Sequence, residues 1–124
     1  MEDFVSFEIA KKLKRKEFNE GCYKYYEDKE LKWSNSPWLE TRYNDYLPHI
    51  TAAPTISQVL KWLREEKRLH ISQKPYPCED GLMWMYEIRK FNKHIVFVVA
   101  NKTGFVEAEE ASLVGIEYVL DNLI

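Results

Sequence analysis

Residues 82–100 constrain the fold most, because they form two predicted strands joined by a short polar turn. Residues 82–90 fit a strand in which one face is apolar and the other carries Met83, Met85, Glu87 and Arg89. Residues 94–100 are apolar on both faces, which predicts a strand at the centre of a sheet. The turn at 91–93 is too short for a crossover, so the two strands must pair antiparallel. The face predicted to be buried in the first strand carries Leu82, Trp84, Tyr86 and Ile88.

Three segments show the periodicity of amphipathic helices, namely residues 4–17, 56–67 and 107–122. The middle one has the clearest start, because Thr55 is a good N-cap and Gln58 completes a capping box. The last one begins with acidic residues, which the positive end of the helix dipole favours. The apolar stripe of the middle helix consists of Ile56, Val59, Leu60 and Leu63.

Shorter strands are predicted around these helices. Residues 22–26 and 31–33 form a hairpin, and residues 69–72 form a strand directly after the middle helix. Pro75 and Pro77 then predict an end to ladder pairing, since proline has no N–H to donate. Residues 34–54 contain three prolines and are predicted as a loop with room for one short strand or helical turn.

These elements predict an α+β fold with the order α-β-β-α-β-β-β-α. Short connections favour a two-layer arrangement, in which a mainly antiparallel sheet of about five strands carries three helices. The chain has 124 residues, enough to bury a core without metals or disulfides, and we expect a single domain over 1–124.

Composition and sequence predict the cellular compartment of the protein. The N-terminus is acidic where a signal peptide is basic, so we expect no signal peptide. The longest apolar run, Ile95 to Ala100, is far shorter than the roughly 20 residues of a membrane span, so we expect no membrane contact. Two cysteines, Cys22 and Cys78, are too few for a disulfide framework, and we expect free thiols in a cytoplasmic protein.

Motifs that carry chemistry are missing from the sequence. None of the three histidines has a partner at metal-ligand spacing, and no glycine-rich phosphate loop is present. Asp80 and Glu87, on one extended strand, would be roughly 23 Å apart and could not share an ion. We therefore expect no catalytic, cofactor-binding or metal-binding residue. A small enzyme remains an alternative, with Cys78 as its best nucleophile and a histidine met in space.

A basic cluster lies in the first predicted helix, with tyrosines following it. Cations beside aromatic rings are the ingredients of single-strand nucleic-acid recognition. The plain alternative is a solvated helix face, and a pI near 5.9 argues against a dedicated nucleic-acid binder. The nucleic-acid candidates are Lys11, Lys12, Lys14, Arg15 and Lys16.

Aromatic residues are abundant in and beside the 34–54 segment. Tryptophan and tyrosine often anchor protein interfaces, because they bury much area at little entropic cost. The plain alternative is that they cover an open face or edge of the sheet. The interface candidates are Trp33, Trp38, Tyr43 and Tyr46.

Residues 52–71, AAPTISQVLKWLREEKRLHI, combine a Pro-Thr helix start with a helix that runs directly into a strand. With an N-terminal helix like Val5 to Phe18 and a closing helix like Glu107 to Ile124, this stretch resembles a family of short uncharacterised proteins encoded by phages, prophages and mobile elements of gut bacteria. The resemblance covers some two-thirds of the chain and is weakest over 34–51. It implies a cytoplasmic bacterial setting and no particular activity, cofactor or catalytic residue.

Together these observations predict a non-enzymatic accessory protein of a phage or mobile element. It would act by binding protein, either a second copy of itself or another chain. A nucleic-acid-associated protein is the first alternative, and a small enzyme with an unrecognised Cys/His site is the second.

Overall fold

The structure is a computed structural model and describes residues 3–34, 41–46, 48–79 and 81–124. Within these residues the chain forms three α-helices, six β-strands and one 3-10 turn. It divides into two compact units, Met1–Ile56 and Ser57–Ile124, so the single domain over 1–124 stays a prediction. In chain order the elements are α1 Phe7–Arg15, β1 Lys24–Glu27, β2 Glu30–Trp33, the 3-10 turn Tyr43–Asp45, β3 Ile50–Ala53, α2 Ile56–Lys67, β4 Leu69–Cys78, β5 Gly81–Asn92, β6 Ile95–Phe105 and α3 Ala108–Asn122.

The first unit is a three-stranded antiparallel sheet, in the order β2-β1-β3, with α1 packed against β3. The α1 helix begins after Ser6, whose hydroxyl accepts a hydrogen bond from the Ile9 amide at 3.3 Å. Tyr26 in β1 donates a hydrogen bond from its hydroxyl to the Val5 carbonyl at 2.8 Å. Its ring also meets Phe7 edge to face, with centroids 5.3 Å apart. These contacts fix the start of α1 over the sheet.

The second unit contains an antiparallel meander, β4-β5-β6, with α3 packed mainly over β4 and β5. Gly115 permits the close approach of this helix. A Cβ atom there would lie 3.1 Å from Ile71 Cγ2 and 3.2 Å from Tyr86 Cγ. Tyr86 and Ile88 are buried, as the alternation in the sequence predicts for one face of β5. Leu82 and Trp84, from the same predicted face, are exposed and half-buried respectively.

The α+β class, the antiparallel pairing and the three helices are confirmed, and α2 has the predicted bounds of 56–67. The predicted two-layer sheet of about five strands is wrong in detail, because six strands form two separate three-stranded sheets. The added strand is β3, inside the predicted 34–54 loop. Proline and serine obscured it, although it pairs with β1 along its whole length.

Two further strand predictions are corrected. β4 continues through both prolines, with Pro75 opposite Trp84 and Pro77 opposite Leu82. The prolines are two residues apart, so both missing N–H groups fall on the same side of the strand. β4 is an edge strand, so one of its sides has no partner strand that would need these N–H groups. β6 is an edge strand and not the predicted central one, and the first four residues of its apolar run are exposed.

Candidate functional site

Four consecutive apolar side chains at the start of β6 are exposed. Their exposed fractions are 64% for Ile95, 52% for Val96, 43% for Phe97 and 48% for Val98. Successive residues of a strand point to opposite faces, so both faces of the sheet are open here. The cause is the position of α3, which packs mainly over β4 and β5. We name these four residues the β6 edge segment.

Backbone groups of the β6 edge segment are also available. β6 pairs on one side with β5 and is the last strand of its sheet. The ladder begins with Asn92 opposite Ile95 across a two-residue turn, so the N–H and C=O of Val96 point away from β5. In the described part of the chain, no side chain caps this free edge. An unpaired strand edge with apolar side chains is a template for another strand.

Cations surround the β6 edge segment. Residues 81–102 carry four basic side chains and one acidic side chain, a net charge of +3. The single acid, Glu87, is already engaged by Arg89 at 2.5 Å and Lys74 at 3.2 Å. The hydrogen bond from Arg89, followed by that from Lys74, lowers the pKa of Glu87. Lys90 and Lys93 therefore give this edge an uncompensated positive charge.

The described aromatic interface candidates differ in exposure. Trp33 and Tyr46 are exposed, with 68% and 58% of their surfaces accessible. Tyr43 is buried and stacks on Tyr25, with ring centroids 4.5 Å apart. The Trp33 ring is in contact with Lys24, whose Nζ lies 4.1 Å from the ring centroid. Trp38 lies outside the described residues, so that part of the prediction is untested.

The predicted basic cluster separates into two groups. Lys11, Lys14 and Arg15 line a cleft of about 400 Å³ in the first unit, while Lys12 and Lys16 do not line it. The spacing i, i+3, i+4 explains the division, because only these positions share one face of α1. The other residues that line the cleft are Phe7, Asp28, Pro48, His49 and Thr51.

Cysteine and histidine chemistry finds little support in the described residues. Both cysteines are free, as predicted, with Cys22 buried and Cys78 exposed. Burial, and secondarily the charge of Glu20, raises the pKa of Cys22 to about 12, so its thiol is a poor nucleophile at neutral pH. Burial lowers the pKa of His70, with smaller contributions from Arg64 and Arg89. Within the same residues, no three ligating side chains come together in a group that could hold a metal ion.

The exposure of the β6 edge segment was not predicted from the sequence. The signal was present just beyond the apolar run, where Asn101, Lys102 and Thr103 continue the strand with exposed polar side chains. A central strand is covered on both faces and would not continue in this way. His49 and Asp28 were not predicted because they reach the cleft from one end of the β1–β3 pairing, far from α1 in the sequence.

No family model, curated protein or solved structure matches this chain. Each helix in the described ranges falls short of the length and apolar character needed to cross a membrane.

Proposed function

We propose that this protein acts by binding another polypeptide, which adds a strand to β6. The observation that carries the proposal is the β6 edge segment, with four exposed apolar side chains on an unpaired strand edge. The accompanying role, an accessory protein of a phage or mobile element, rests on the resemblance of residues 52–71 and their flanking helices.

Strand addition would use both the unpaired backbone groups and the exposed apolar side chains of this edge. Backbone hydrogen bonds to Val96 supply affinity that does not depend on the partner's sequence. The side chains of Ile95 and Phe97 share one face, and those of Val96 and Val98 share the other. A partner with apolar residues at alternate positions would cover one or both faces, and burial of this surface would supply the main driving force.

The charge around the segment favours an acidic partner. Lys90 and Lys93 are exposed, and Glu87 is already paired with cations. Two copies of β6 paired with each other would place two regions of net positive charge side by side, which is unfavourable. We therefore infer an extended partner segment that is apolar in its middle and carries acidic residues at its ends.

A synthetic peptide tests the proposal directly. Its nine residues carry two acidic residues at each end and alternate valine with threonine in the middle. We expect saturable binding by fluorescence anisotropy, which weakens as salt is added because the ends are attracted electrostatically. Val96→Lys should weaken binding by about tenfold or more, since an edge lysine opposes strand addition.

The matched control is Thr103→Lys, the same substitution at an exposed position later in β6. It should leave binding within about twofold. Equal losses in both variants would show that the position of the lysine in β6 does not matter and would contradict strand addition at the segment. A mass near twice 14.9 kDa in light scattering, lost in Val96→Lys, would identify a second copy as the occupant and overturn the acidic partner.

A further inference from the structure

The cleft of the first unit combines side chains from three parts of the chain. α1 contributes Phe7, Lys11, Lys14 and Arg15, the β1–β2 turn contributes Asp28, and the approach to β3 contributes His49. The Asp28 amide donates a hydrogen bond to the His49 carbonyl at 2.9 Å, which ties these two walls together. The volume of about 400 Å³ lies in the range of small-ligand sites.

Two cationic side chains in the cleft have no carboxylate partner among the described residues. Lys14 Nζ is held by the carbonyl oxygens of Ile50 at 2.6 Å and Pro48 at 3.4 Å, which position the ammonium and leave its charge uncompensated. Arg15 is exposed, and its guanidinium has no ion-pair partner in the described ranges. Lys11 forms an ion pair with the exposed Glu8 at 3.4 Å, an interaction of little strength. The cleft is therefore positive and partly preorganised.

One carboxylate, Asp28, lines the same cleft, and its side chain forms no ion pair within the described residues. A carboxylate is an acceptor and selects a donor such as a hydroxyl or amino group. Phe7 adds an apolar wall. A ligand that satisfies all of these groups has an anionic end for Lys14 and Arg15, and a hydrogen-bond donor for Asp28.

We propose that this cleft binds a small phosphorylated ligand that also carries hydroxyl groups. Phosphate suits Lys14 and Arg15, because guanidinium and ammonium groups form charge-assisted hydrogen bonds with its oxygens. A sugar phosphate provides the hydroxyl for Asp28 at a size that the cleft can hold. The site is independent of β6 and of any polypeptide partner.

Titration with inorganic phosphate and with ribose 5-phosphate, followed by chemical shifts of the whole chain, tests the proposal. We expect saturable shifts at α1 and at residues 48–51, with the sugar phosphate binding more tightly. Arg15→Gln should weaken both ligands by about tenfold, since a hydrogen bond between charged groups is lost. Lys29→Gln removes one exposed charge of the same unit outside the cleft and should change binding by less than about twofold.

Asp28→Asn gives the sharpest outcome, because the two probes should respond in opposite directions. Loss of a negative charge strengthens inorganic phosphate binding, while ribose 5-phosphate loses its acceptor and most of its advantage. Asparagine tolerates the positive φ of 55° at this position, so the turn is retained.

Three results would overturn the proposal. One is the absence of saturable binding in the millimolar range, and another is an equal loss in Arg15→Gln and Lys29→Gln. The third is tight binding of an unphosphorylated single-stranded oligonucleotide, which would assign the cations to a nucleic-acid backbone. Binding of the same oligonucleotide only when it carries a 5′-phosphate supports recognition of a terminal phosphate.

Discussion

β3 and β6 are both edge strands of three-stranded antiparallel sheets, yet their surroundings are opposite. All four residues of β3 are buried, whereas the first four residues of β6 are exposed. The free edge of β3 is capped by side chains. Lys14 Nζ donates to the Ile50 carbonyl at 2.6 Å, and Asn44 Oδ1 accepts from the Ala52 amide at 2.8 Å. β6 has no such caps in the described residues.

Position in a sheet does not decide whether a strand edge is available for pairing. Cover decides it. α1 packs over β3, while α3 packs mainly over β4 and β5 and leaves β6 open. A helix and two side chains protect the edge of β3, and the same means could protect the edge of β6. The open edge of β6 is therefore the place where we expect a partner.

The largest effect should come from placing the same lysine in both edges. Ala52→Lys should lower the free energy of unfolding by at least about 3 kcal/mol, because it overpacks a site that is 1% exposed and buries a charge. Val96→Lys should change it by less than about 0.5 kcal/mol, as exposed substitutions do. Urea unfolding followed by tryptophan fluorescence measures both. A large loss in Val96→Lys would mean that β6 is covered in the free protein.

One cysteine lies in each unit, so thiol reactivity reports on both units. Cys22 is buried and its pKa is raised to about 12, while Cys78 is exposed. At pH 8 a thiol reagent should modify Cys78 about a hundredfold faster than Cys22. Cys78→Ser and Cys22→Ser variants assign the two phases. Comparable rates would show that the unit containing β3 opens readily, contrary to its capped edge.

Asn44 links the 3-10 turn to the β3 edge, so its removal should open that edge. Its side-chain nitrogen donates to the Phe18 carbonyl at 2.7 Å, and its oxygen accepts from Ala52. Asn44→Ala should cost about 2 kcal/mol, because two backbone groups lose their partners. Asn101→Ala in β6, where the side chain is exposed, is the control. Similar unfolding midpoints for the two variants would argue against capping.

Acidification from pH 7.5 to 5.5 should have the smallest effect, and His70 should account for part of it. His70 in β4 has a lowered pKa in the folded state, so the unfolded chain binds its proton more readily. Its contribution to stability is complete above the ordinary pKa of 6.5 and is lost as pH falls below it toward the folded pKa. Unfolding free energies at pH 7.5 and 5.5 should differ less in His70→Gln than in the original chain.

Much of the fold could be predicted from local sequence patterns. The α2 helix was predicted at both ends, because its cap and apolar stripe are local properties of residues 55–67. The placement of β6 was not, because an apolar strand has the same sequence pattern whether a helix covers it or a partner does. The pairing of β3 with β1 was missed for a related reason, since long-range pairing overrides the turn signals of a proline-rich segment.

The candidate sites could also be predicted only in part from the sequence. The basic residues of α1 were identified from the sequence, but their separation into cleft and non-cleft faces follows from helical geometry and from the arrival of Asp28 and His49. The sequence does not separate Tyr43 from Trp33, because an aromatic side chain has the same chemical character in a core and on a surface. Their contacts with Tyr25 and Lys24 distinguish them only in the folded chain.

Residue-resolved amide hydrogen exchange, with and without the acidic-ended peptide, tests whether β6 is an open edge. We predict that the Val96 amide exchanges orders of magnitude faster than the Ala52 amide in the free protein. Saturating peptide should protect Val96 and leave Ala52 unchanged. A Val96 amide that is as slow as Ala52 in the free monomer, or that the bound peptide does not protect, would contradict the claim that β6 is an open edge for strand addition.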